Sequence, residues 1–144
     1  MSYWFDTYIQ RPWAAVPEPP KSFTCGELCR WILRERLGIE TLPIYADAND
    51  LRQCVGNLAH PELYDLTRVT GRPRPYDLLY LARNARFDHM GIAVTTLYGL
   101  RVLHCCQGAG VLLQSPGDLV NDGFRRQVWF RHQDASEELV LCRA

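Results

Sequence analysis

The most regular hydrophobic pattern in the chain lies between positions 25 and 37, where Leu28, Trp31 and Ile32 recur at helical spacing with Glu35 on the same side. Thr24 precedes this run and Glu27 follows three residues later. That is the capping-box pattern, in which a hydroxyl takes an orphan amide and a carboxylate reaches back to the cap's own N–H. Gly38 stands where a left-handed stop belongs. The pattern predicts a helix from Cys25 to about Leu37. A second helix is predicted over about 50–58, because Leu51, Cys54, Val55 and Leu58 follow the i, i+3, i+4, i+7 spacing and Asp47, Asn49 or Asp50 can cap it. After Gly71-Arg72-Pro73-Arg74-Pro75 the pattern changes. Short runs rich in Leu, Val, Ile and Tyr at 77–83, 90–95, 101–106 and 110–114 are separated by turn-forming stretches, and they predict strands of an antiparallel meander. Residues 127–131 read as a last strand and Ser115-Pro116-Gly117-Asp118 as a turn, while 61–70 fits neither period. Upstream, the aromatic-rich residues 4–9 are expected to pack across the domain as a short helix or arm. Pro17, Pro19 and Pro20 make the segment up to Lys21 a stiff loop that delivers the chain to Thr24. Helices first and an antiparallel sheet afterwards is the α+β order.

Composition narrows the function classes. The 144 residues carry a formal net charge of +0 and are 47% hydrophobic, which suits one globular domain spanning 1–144 with a core of its own. Balanced charge gives no sign of nucleic acid or membrane as a partner. The apolar runs are too short to span a bilayer, and the first residues lack the basic and apolar regions of a secretory signal, so the chain is expected to remain cytoplasmic as synthesised. Its cysteines (Cys25, Cys29, Cys54, Cys105, Cys106 and Cys142) contain no C-x-x-C pair and read as reduced thiols. A zinc site from Cys25, Cys29, Cys54 and His60 has no recognised spacing, so neither a metal nor another cofactor is expected. Cys54 is most simply a core residue, and adjacent Cys105 and Cys106 point to opposite faces of a strand.

The chemistry concentrates on Cys25. At the first turn of a helix, exposed amides and the macrodipole favour an anion, so the thiol pKa is expected to fall below its ordinary value of about 8.5. The plainer reading is a small buried core residue. His89 enters one predicted strand and His104 lies inside the next. If these strands are antiparallel neighbours, directly opposed side chains come within about 5 Å and one imidazole can orient the other. A thiol nucleophile, a base and an orienting group make the constellation of cysteine hydrolases, with Cys25, His89 and His104 in those roles. His60 and His132 lack such a setting and read as structural or exposed.

Three segments resemble the NlpC/p-sixty family of papain-like cell-wall peptidases, particularly the form encoded by tailed phages and prophages. Thr24-Cys25-Gly26-Glu27-Leu28 is similar to the family's D-C-x-G-L-V segment, and His89-Met90-Gly91-Ile92-Ala93 is similar to H-V-G-I-Y. Val102-Leu103-His104 resembles the strand that bears the third catalytic residue. The opening Tyr8-Ile9-Gln10-Arg11-Pro12-Trp13, Gly38-Ile39 with Leu42-Pro43, Asp77-Leu78-Leu79 and Gly108-Ala109-Gly110-Val111 resemble tail-associated members. The resemblance covers about Tyr8 to Asp118. It implies a papain-like α+β fold, hydrolysis of peptidoglycan stem peptides, Cys25 as nucleophile, His89 as base then acid, and His104 as its orienting partner. It further implies an oxyanion site that includes the Cys25 amide, a substrate site touching Tyr8, Thr24 and Asp88, and tail proteins as partners in delivery to the cell wall. Two positions depart from the family: Thr24 stands where Asp is usual and Glu27 where Gly is usual. Their joint change into a capping box suggests that they compensate structurally. A binding protein of the tail with the same fold, an injected antibacterial amidase and an acyltransferase are the rival readings.

Overall fold

A computed structural model of the chain describes residues 2–144. Helix α1 spans Cys25–Leu37 between a Thr24 N-cap and Gly38, which takes the expected left-handed conformation at φ 67°. The stripe it buries is Cys25, Leu28, Cys29, Ile32, Leu33 and Leu37. Glu35 is exposed, because at about 100° per residue it falls just outside the arc that runs from Leu28 round to Leu37. Trp31 is half-buried and donates its indole N–H to the Tyr8 hydroxyl at 3.1 Å. Helix α2 (Leu51–Ala59) is capped by Asp50, whose side chain accepts from the Gln53 N–H. Only two of its four periodic apolar residues, Cys54 and Leu58, face the core; Leu51 and Val55 are exposed.

Six strands form one sheet in the order β1-β6-β2-β3-β4-β5, with every pairing antiparallel. The predicted meander is β2 (Leu78–Ala82), β3 (His89–Thr96), β4 (Gly99–Cys106) and β5 (Gly110–Gln114). The last strand, β6 (Arg126–His132), returns to pair with β2 on the meander's far side, and it carries β1 (Leu66–Arg68) on its outer edge. β1 falls in the segment that showed no period, being three residues of which one is buried. The expected turn at Ser115 opens helix α3 (Pro116–Asn121), where Ser115 and Asp118 complete a capping box. A further helix, α4 (Glu137–Arg143), follows β6.

Strand alternation assigns the two faces of the sheet. Tyr80 of β2, Met90 and Ile92 of β3, and Leu103 and Cys105 of β4 join the α1 stripe in the larger core. Leu79, Leu81 and Val102 point the other way and pack with Leu119 of α3 and Phe124. At the N-terminus, a 3₁₀ turn (Asp6–Tyr8) lays Trp4 and Tyr8 against the larger core, so the aromatic segment packs across the domain as expected. No helix among the described residues is long and apolar enough to cross a membrane.

Candidate active site

Thr24, Cys25, Asp88, His89 and Cys106 line one cleft of about 300 Å3 at the end of the sheet where β3 begins and β4 finishes. Helix α1 points its N-terminus at this rim. The loop before α2 crosses directly over the first turn: a Cβ at Gly26 would sit 2.5 Å from both Cγ2 and the carbonyl oxygen of Ile44, so only glycine leaves room. Thr24 and Glu27 hold that loop. The Thr24 hydroxyl accepts the Glu27 N–H at 3.2 Å and donates to the Tyr45 carbonyl at 2.7 Å. The Glu27 carboxylate does not close the capping box. One oxygen accepts the Ile44 N–H at 3.2 Å and the other meets Arg30 at 3.1 Å. The two departures from the family pattern thus share one structural task, which is to seat the chain that brings Tyr45 to the cleft wall.

The two histidines meet, though not as directly opposed residues. β3 and β4 pair Ile92 with Leu103, a register that leaves His89 and His104 diagonal to each other. Gly91 permits the close approach, since a Cβ there would lie 3.1 Å from the His104 Cβ and 2.5 Å from Val102 Cγ1. His89 Nε2 is 2.9 Å from His104 Nδ1, and His104 Nε2 is 2.7 Å from Gln114 Oε1. The Gln114 amide nitrogen donates to Asp122 at 2.8 Å, which fixes its oxygen toward the imidazole. That oxygen can only accept, so His104 carries its proton on Nε2 and offers a lone pair at Nδ1. His89 therefore donates from Nε2, and its Nδ1 keeps the lone pair. Phe124 stacks on the His89 ring at 5.2 Å and 19°, and Arg83 in turn lies over Phe124 at 3.9 Å.

Electrostatics depart from the sequence expectation at Cys25. Burial pushes its thiol up to about 12 rather than down; hydrogen bonds from the Met90 and Gly26 backbone offset only part of that, and Cys105 and Cys106 add to the rise. The helix terminus does supply backbone donors, but the thiol is only 6% exposed and desolvation of the anion outweighs them. Burial likewise lowers the His89 imidazole to about 3, with His104 and Arg83 acting in the same direction. Both groups rest neutral. Alternation also explains why no bond joins them: His89 and His104 project from the sheet face opposite α1, so thiol and imidazole approach each other only around the rim. The hydrogen-bond contacts of His89 go to His104 and to Cys106, the latter at 3.8 Å.

The remaining candidates divide. Asp88 and Thr24 line the cleft. Tyr8 does not; the 3₁₀ turn seats it against the core, where its hydroxyl accepts from Trp31 and its ring packs edge-on to Phe23. The tyrosine at the cleft is Tyr45, held at φ 56° in a loop that shows no period in the sequence. Arg83, Cys106 and Gln114 are the other site residues that sequence reasoning missed. All three close a predicted strand, at positions 83, 106 and 114, but nothing local says that those ends converge on one cleft. His60 is exposed beside Glu62, and Cys54 points its thiol at the Asp47 carbonyl, so the conceivable zinc set of Cys25, Cys29, Cys54 and His60 does not assemble.

No family model matches the chain, and no curated protein matches it. Solved structures do. The NlpC/p60 domain of the peptidoglycan hydrolase SagA superposes with a TM-score of 0.53 at 16% sequence identity, covering 86% of this chain and 88% of that one. The chain has the papain-like, NlpC-type fold. An N-acetylmuramoyl-L-alanine amidase from Bacteroides uniformis is also similar, with a TM-score of 0.49 at 12% identity over 87% of this chain and 95% of that one. With this fold in hand, the helix that presents Cys25 and the strands that present His89 and His104 form one scaffold.

Proposed function

We propose that the chain is a cysteine hydrolase that cuts an amide bond in the stem peptides of peptidoglycan. The observation that carries this reading is the oriented series Asp122, Gln114, His104 and His89, which leaves a free Nδ1 lone pair on a residue that lines the cleft with Cys25. The similar solved NlpC/p60 domain is that of a peptidoglycan hydrolase, which suggests the substrate. In this reaction His89 Nδ1 takes the thiol proton as Cys25 Sγ attacks the carbonyl, and returns it to the leaving amine. His104 stabilises the transient imidazolium by accepting from Nε2. The Cys25 N–H heads α1 without an intrahelical partner and is placed to receive the oxyanion. Because thiol and imidazole both rest neutral, proton transfer accompanies attack, and substrate has to close the gap at the rim. Arg83 supplies a cation at the cleft for a stem-peptide carboxylate. The same reading assigns the chain, as one 1–144 domain, to a phage or prophage tail that delivers it to the wall; the tail-like segments around Tyr8–Trp13 motivate that context.

The test is digestion of purified muropeptides followed by mass spectrometry. Wild type should generate paired fragments with a new amine and a new carboxylate. Cys25→Ala should abolish them, and His89→Ala should slow their appearance by about 10²–10⁴-fold. Muropeptides unchanged by wild type, alone and with tail proteins present, would reject the reading. They would favour the second one, a tail-assembly protein of the same fold, to which the buried resting thiol of Cys25 lends support.

A further inference from the structure

Three donor atoms beside the cleft have no shared role in the amide chemistry as a set. Cys106 Sγ lies 3.2 Å from His104 Nδ1 and 3.8 Å from His89 Nε2, and those two nitrogens are 2.9 Å apart. We propose that His89, His104 and Cys106 form a binding site for one thiophilic divalent cation of the zinc class.

The geometry carries it. Zinc bonds imidazole nitrogen at about 2.0–2.1 Å and thiolate at about 2.3 Å, so tetrahedral angles require about 3.4 Å between the nitrogens and about 3.6 Å from each to sulfur. The observed triangle departs from this by about half an ångström or less on each side, which is within the reach of small side-chain rotations. Its construction follows from the strands: His104 and Cys106 are two apart on β4 and share a face, and β3 brings His89 beside them.

The outer partners suit the same purpose. Gln114 holds the His104 proton on Nε2, so Nδ1 points its lone pair into the triangle, the arrangement that fixes a metal-binding imidazole. Asp122 places a negative charge behind Gln114. Arg83 is the opposing cation, but its guanidinium is stacked over Phe124. His89 and Cys106 both line the cleft, which gives an entry path and leaves the fourth position to water. Set softness points to zinc or cobalt rather than magnesium or calcium, which take oxygen ligands.

The proton balance is explicit. Binding displaces the Cys106 thiol proton to solvent and moves the His89 proton from Nε2 to Nδ1, because Nε2 must give its lone pair to the ion. One proton is released per ion. Resting on the proposed function, this has a consequence: with Nδ1 protonated, His89 no longer accepts the proton of Cys25. The ion would hold the hydrolase off, and chelation would release it.

The experiment is a cobalt(II) titration of the chelator-treated full chain under reducing conditions, followed by absorption. One equivalent should bring up visible bands of tetrahedral intensity and a thiolate-to-cobalt charge-transfer band in the near ultraviolet, and zinc should erase both. Cys25→Ser should keep the charge-transfer band, and Cys106→Ser should lose it with at least tenfold weaker binding. Gln114→Leu should weaken binding by about 10–100-fold while keeping the band. A saturated titration without a thiolate band, or a band lost in Cys25→Ser and kept in Cys106→Ser, overturns the site. These readings need no substrate, so an inactive chain that still shows the Cys106 band would reject the hydrolase reading alone.

Discussion

At the scale of single residues, the site consists of ionisable groups held in the form that burial prefers. His89, lowered to about 3 by burial and by its neighbours His104 and Arg83, and His104, lowered by burial against the pull of Gln114 and Asp122, both favour the neutral form when folded. The unfolded chain binds their protons from about pH 6.5 downward, so it holds more protons than the native state between that pH and the folded value. Stability from His89 is complete above about pH 6.5 and lost as pH falls through about 3, on the order of 5 kcal/mol if fully expressed, and His104 acts in the same direction. Cys25 acts at the other end. Raised to about 12 by burial, it contributes stability that is present below about pH 9 and lost as pH rises toward its folded value. Urea midpoints of wild type should therefore fall in mild acid, and His89→Gln should flatten that decline by about one proton's worth of slope. An identical decline in the variant would show that His89 does not titrate as its burial requires. The same residues mark what was legible beforehand. Cys25 sits at a cap, His89 at a strand entrance and His104 inside a predicted strand, whereas Tyr45 reaches the cleft only through the loop seated over α1, and Arg83 and Cys106 only because the sheet brings the ends of their strands together.

At the scale of elements, the first turn of α1 and the loop over it act as one unit. Thr24 bonds the Tyr45 carbonyl and Glu27 bonds the Ile44 N–H, adjacent groups on one strip of backbone. Thr24→Val removes the cap and the loop contact and should cost about 1–2 kcal/mol. Glu27→Ala strands a buried amide and should cost about 1–3 kcal/mol. Either change frees the same strip, so the double variant should lose less than the sum, by about 0.5–1 kcal/mol or more in a denaturation cycle. Strict additivity would mean that the two side chains hold the loop independently. Sequence pattern located α1, α2 and the five longer strands because each carries its own period or turn boundary. It missed β1, whose three residues are too few for a period, and the placement of β6 beside β2, which is decided by long-range pairing rather than by any local residue.

At the scale of the whole molecule, chemistry and stability occupy opposite ends of β2. Near one end Leu81 pairs with His89 beside the cleft; just before the other, Asp77 anchors the returning strand. Its carboxylate receives Arg131 of β6 through two bonds of 2.8 Å and also accepts the Arg74 N–H at 2.8 Å, with the Asp77 side chain only 2% exposed. This forked pair fixes β6 against β2 at a position where no local pattern dictates the neighbour. Removing one partner leaves the other charge without compensation, so Asp77→Ala should cost about 3 kcal/mol or more, and Arg131→Lys less, since a lysine keeps the charge but not the fork. Because the His89, His104 and Gln114 series lies beyond the opposite end, the remaining folded fraction should keep the wild-type pattern of muropeptide products below the melting transition. Thermal melts paired with digestion at low temperature would check both halves of the expectation. A large loss of activity in a chain that remains folded would show that the pairing of β6 also sets the geometry of the cleft, through Phe124 against His89.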